Sequence, residues 1–148
     1  MSDVVKTAHC VGQMVFHFEW CTKYRHKVFR NQKYKILCEA ALLTAAERHK
    51  IEILEFSVMP DHVNVVVQTP FNVSGSQALQ YLKGYSSFVL LKIYPELRSL
   101  YFWGCEGVWS PGKFARTVGD VNLQNTLSYV KNQHVHHAKQ AILSSYGL

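Results

Sequence analysis

The chain has 148 residues, 48% hydrophobic and 18% charged, which supplies a core for one compact domain and excludes a disordered chain. Lys and Arg number 16 against 10 Asp and Glu, and the net charge of +6 suits an anionic partner such as nucleic acid or a membrane surface. No apolar run reaches the ~18 residues of a membrane span. The opening MSDVVKTAHC lacks the regions of an export signal, and Cys10, Cys21, Cys38 and Cys105 form no Cys-x-x-Cys pair, so a cytoplasmic protein with free thiols is expected.

Gln13 to Thr22 (QMVFHFEWCT) is β-branched and aromatic and alternates, which predicts a strand. A basic stretch follows, Lys23, Arg25, His26, Lys27 and Arg30, interleaved with Tyr24 and Phe29. From Asn31 to Lys50 the apolar residues recur at three and four, which predicts a helix. Ile51 to Met59 alternates as a strand, Pro60-Asp61 marks a turn, and His62 to Thr69 is a second strand, together an antiparallel hairpin. A second helix is expected from Ser76 to Tyr94, with Ser76 as N-cap and Pro95 as its stop. Gly84 inside it suggests close approach of a neighbour or ligand. Strands are expected near Gly107 to Trp109 and near Phe114, then a loop at Thr117 to Asp120 and a long helix from Asn122 to Ser145. This order is α+β: a ferredoxin-like, split βαβ antiparallel sheet with helices on one face, plus a C-terminal helix outside that unit.

Two groups of residues carry candidate chemistry. In Pro60-Asp61-His62-Val63-Asn64, His62 and Asn64 are two apart on a strand and share a face, expected to line a cleft. An imidazole nitrogen and an amide oxygen can both coordinate a divalent cation. The plain alternative is a strand with one solvated face. In Ser128-Tyr129-Val130-Lys131-Asn132-Gln133, Tyr129 and Gln133 stack one helical turn apart, which puts a phenol beside an amide oxygen. His134, His136 and His137 fan over different helix faces and are read as a solvated surface. Lys23, Tyr24, Arg25, Lys27 and Arg30 have the character of phosphate contacts around a stacking ring, and Lys83 and Arg116 extend the cationic surface.

These pieces occur together and in a familiar order. The chain resembles the small single-tyrosine HUH transposases of minimal bacterial and archaeal insertion sequences. The stretches that match are KYRHKVF, FSVMPDHVNVVVQTP, YLKGYSS, LRSLYFWGCEGVWSP, ARTVGDV and LSYVKNQ. That family has His-hydrophobic-His on a central strand; here His62 and Val63 are followed by Asn64. The resemblance implies one HUH transposase domain over 1–148, with Tyr129 as nucleophile. It implies a divalent metal, Mg²⁺ or Mn²⁺, on His62, Asn64 and Gln133, with Asp61 as a direct or water-mediated ligand. It also implies cleavage and rejoining of single-stranded DNA at hairpin-bearing element ends through a 5′-phosphotyrosine. The partner is a second copy of the chain, with the tyrosine helix of one subunit serving the metal site of the other.

Two other classes compete. One is a relative that binds hairpins or single strands without cutting, weakened by Asn64; retention of both Tyr129 and Gln133 argues against it. The other is a structural dimer without nucleic acid, which leaves the basic stretch unexplained.

Overall fold

A computed structural model describes residues 14–145, with side chains through Asn132. Cys10 and the side chains of Gln133, His134, His136 and His137 lie outside the described residues. Four strands, β1 (Met14–Cys21), β2 (Glu52–Val58), β3 (His62–Thr69) and β4 (Phe114–Thr117), form one sheet in the order β2-β3-β1-β4. Every neighbouring pair is antiparallel. The long helices are α1 (Gln32–Arg48), α2 (Gly75–Ile93) and α4 (Asp120–Ser145), with a short α3 (Glu96–Leu100) after Pro95. The expected ferredoxin-like arrangement is the observed one.

Alternation along the strands divides the sheet into two unlike faces. Phe18, Trp20, Val63, Val65 and Val67 point to one face and pack with Cys38 and Leu42 of α1 and Leu79 and Leu82 of α2. Full burial of side chains of this kind contributes about 1.5–3 kcal/mol each. The other face carries Val15 and Val66, covered by Val118 and by Leu123 and Val130 of α4. The terminal helix therefore lies across its own sheet, opposite α1 and α2.

Four local expectations change. The N-cap of α2 is Ser74: its hydroxyl accepts from the Gln77 amide at 3.1 Å, and the Gln77 side chain accepts from the Ser74 amide at 2.9 Å. This reciprocal pair satisfies two helix-end donors, which Ser76 does not do. Gly84 has open space around it, since an added Cβ meets nothing within 4 Å, so no close neighbour explains it. Around Gly107 to Trp109 there is a single bridge, Thr22 to Trp109, and the edge strand is β4. The terminal helix starts at Asp120. Among the described residues no helix is long and apolar enough to cross a membrane.

Candidate active site

The site grows from the turn between β2 and β3. The Met59 amide donates to the His62 carbonyl at 2.8 Å, closing the hairpin. The Thr22 amide, at the end of β1, donates to the Asp61 carbonyl at 2.9 Å, and the Phe29 amide to the Pro60 carbonyl at 3.0 Å. Backbone bonds from two other segments thus clamp the turn that presents Asp61 and His62.

On this turn Asp61 Oδ1 is 2.8 Å from Nδ1 of His62, while Oδ2 faces Arg25 at 3.6 Å. Burial raises the Asp61 carboxyl, but the His62 hydrogen bond and the charges of Arg25 and Lys27 outweigh it and hold it below the usual range. A carboxylate on Nδ1 fixes the imidazole so that Nε2 points outward, as in the carboxylate–histidine pairs that orient metal ligands. That Nε2 lies 3.8 Å from Oε1 of Glu19 on β1.

Asn64 is not on a solvated face: it is fully buried. His17 Nε2–H donates to its Oδ1 at 3.0 Å, and the His17 ring is itself only 4% exposed. The cleft expected beside His62 and Asn64 is lined instead from the neighbouring strands and from α4. It holds about 450 Å³ and is bounded by His17, Glu19, Phe114, Arg116, Thr126 and Tyr129. Tyr129 is about half exposed there, and its ring centre lies 6.2 Å from that of His17, edge to face. Arg116 donates to the Thr126 hydroxyl at 3.1 Å, tying β4 to α4 at the cleft wall.

The basic residues divide into two sets. Lys23 to Arg25 and Val28 to Arg30 form two short 3₁₀ turns, in which Tyr24 (φ 58°) and Arg25 (φ 52°) occupy the left-handed region. Tyr24 is 81% exposed, so its ring is available for stacking. Lys83 lies elsewhere and donates to the Ser110 carbonyl at 2.9 Å. Burial, and then the charge of Lys113, lower its pKa.

Sequence reasoning overlooked His17 and Glu19. Their signal was legible: in Phe16-His17-Phe18-Glu19-Trp20 polar residues alternate with aromatic ones, and pairing sets Glu19 directly opposite Asn64. Among the described residues no three His, Cys, Asp or Glu side chains form a metal-binding group by themselves.

On one side of an antiparallel sheet in this order stand a clamped His62 turn and the helix that carries Tyr129, laid over the adjoining cleft. The chain belongs to the family described as "Transposase IS200 like", whose pattern matches residues 10–133. It is 28% identical over 124 residues to the ISDra2 transposase TnpA of Deinococcus radiodurans, covering 84% of this chain and 86% of that protein. To the transposase of insertion sequence element IS200 from Salmonella typhimurium it is 29% identical over 133 residues, covering 90% and 85%. A crystal structure from Deinococcus radiodurans R1 superposes with a TM-score of 0.65 at 26% identity, covering 85% of this chain and 95% of that one. A REP-associated tyrosine transposase bound to a REP hairpin has the same fold, with a TM-score of 0.61 at 14% identity over 84% of this chain and 68% of that one.

Proposed function

We propose that this transposase cleaves and rejoins single-stranded DNA at hairpin-bearing element ends in the cytoplasm, with Tyr129 as nucleophile. One observation carries the reading: the half-exposed Tyr129 opens into the same cleft as Glu19, whose carboxylate faces His62. The fold relative's REP hairpin supports a hairpin as the recognised element.

The Tyr129 oxygen attacks a backbone phosphorus in line and its proton passes to solvent. The bond from phosphorus to the 3′ oxygen breaks, and that oxygen leaves as a 3′-hydroxyl. The 5′ side stays on the protein as a phosphotyrosine, which a 3′-hydroxyl later reverses without a nucleotide cofactor. Arg116, at the cleft wall, holds the phosphate from the side. Lys23, Arg25, Lys27 and Arg30 contact the backbone, and Tyr24 stacks on a base.

The residues present fit a divalent ion. Asp61 orients His62 Nε2, Asn64 carries an amide oxygen, and Gln133 is placed on α4 one turn beyond Tyr129. Mg²⁺ or Mn²⁺ bound here would polarise the phosphate and offset charge on the leaving oxygen.

Incubation with end-labelled single-stranded element ends and Mn²⁺, followed by a denaturing gel, tests the chemistry. Wild type should give a covalent adduct. Tyr129→Phe should give none while still shifting the hairpin in a native gel. Adduct of undiminished yield in that variant overturns the nucleophile.

The working unit is a homodimer with sites completed in trans. In the single chain α4 packs on its own sheet through Leu123 and Val130, so a trans site requires the helix to exchange. Mixing Tyr129→Phe with His62→Ala chains should restore part of the activity; no rescue between subunits that exchange means each site is built within one chain.

A further inference from the structure

Strand β3 offers one imidazole where the family pattern has two, and the strand beside it offers a carboxylate. Glu19 stands directly across from Asn64 in the β1–β3 register, and directly paired residues share a face. Its Oε1 is 3.8 Å from His62 Nε2, the nitrogen turned away from Asp61. Two ligands at right angles on one Mg²⁺ or Mn²⁺ stand about 3 Å apart. A shift of less than about 1 Å in a flexible Glu side chain closes the difference. Among the described residues His62 is the one ionic partner of Glu19. Glu19 also lines the Tyr129 cleft.

We propose that Glu19 is a ligand of the divalent ion and stands in for the second imidazole that β3 lacks. The proposal rests on the metal-dependent reading above. It brings a negative charge into a set otherwise made of one imidazole and neutral amides. Such an oxygen-rich set suits Mg²⁺ and Mn²⁺, whereas a pair of imidazoles raises affinity for Zn²⁺ and its neighbours.

The test is direct titration of Mn²⁺ into the full-length protein, followed by electron paramagnetic resonance, with circular dichroism melts as a check on folding. Wild type should bind Mn²⁺, and Glu19→Gln, which keeps the shape and removes the charge, should weaken binding at least about tenfold. Glu19→His should bind metal with its preference moved from Mn²⁺ toward Zn²⁺ by about tenfold or more. A residue that only shapes the strand would not move that ratio. Wild-type Mn²⁺ affinity in Glu19→Gln, or an unmoved metal preference in Glu19→His, overturns the assignment of Glu19 and leaves the metal-dependent reading standing. Wild type that takes up no Mn²⁺, with or without single-stranded DNA, overturns both.

Discussion

The two faces of the sheet are made by the same strands and do opposite work. Toward α1 and α2, Phe18, Trp20, Val63 and Val65 interlock in a dry core with no ionisable group from β1 or β3. Toward α4, one residue along each strand, stand His17, Glu19, His62 and Asn64, with apolar cover from Val15, Leu54, Val66, Val118 and the helix. A period of two lets one strand present an apolar face and a polar face at once, because neighbouring residues never compete for the same side. It also means that a one-residue slip would place the whole reactive set in the core, so the dry face holds the register of the wet one.

Substitutions on the two faces should separate these roles. The largest effect is expected from Trp20→Ala on the dry face, where the indole is 1% exposed: about 3–5 kcal/mol of stability, read by urea unfolding. Adduct formed per folded molecule should stay near wild type, and selective loss of chemistry without loss of stability would mean the faces are not separable. Asn64→Leu is intermediate. It strips the acceptor from the buried His17 Nε2–H and should cost about 1–3 kcal/mol, seen as a lowered Tm. An unchanged Tm would return Asn64 to the status of a pure ligand. Arg116→Ala should be smallest in stability, within about 0.5 kcal/mol, because Arg116 itself is exposed and the buried Thr126 hydroxyl keeps its bond to the Asn122 carbonyl. Its effect should instead be a several-fold loss of single-strand binding that shrinks as salt rises.

The sequence was most readable where several signals agreed. The β2–β3 hairpin is nearly as expected because a Val-rich run is bracketed by Pro60 on one side and Pro70 on the other. The edge strand β4 was blurred because all four of its residues are exposed, which removes the alternation that marks a strand. The α2 cap lay two residues early because Ser74 and Ser76 are chemically alike, and only the partner Gln77 decides between them. Spacing alone left His62 and Tyr129 open to plain structural readings, and the resemblance to known transposases singled them out. The alternation of Phe16 to Trp20 marks Glu19 as facing away from the apolar side, but its pairing with Asn64, 45 positions away, is set by the register, and single-strand patterns carry no pairing information.

The clamp on the Pro60–Asp61 turn links distant stretches of chain into one breathing unit. The amides of Thr22, Phe29 and Met59 are held by carbonyls of the turn and of His62, so none can exchange with solvent unless the clamp opens. Whatever stills the basic loop between Lys23 and Arg30 therefore also stills the turn that carries His62, because both draw on the same opening equilibrium. By linkage the coupling runs both ways: ordering at His62 stabilises the closed loop by the same free energy. The basic loop and the turn that carries His62 thus share one mechanical joint, made entirely of main chain and indifferent to which side chains decorate it.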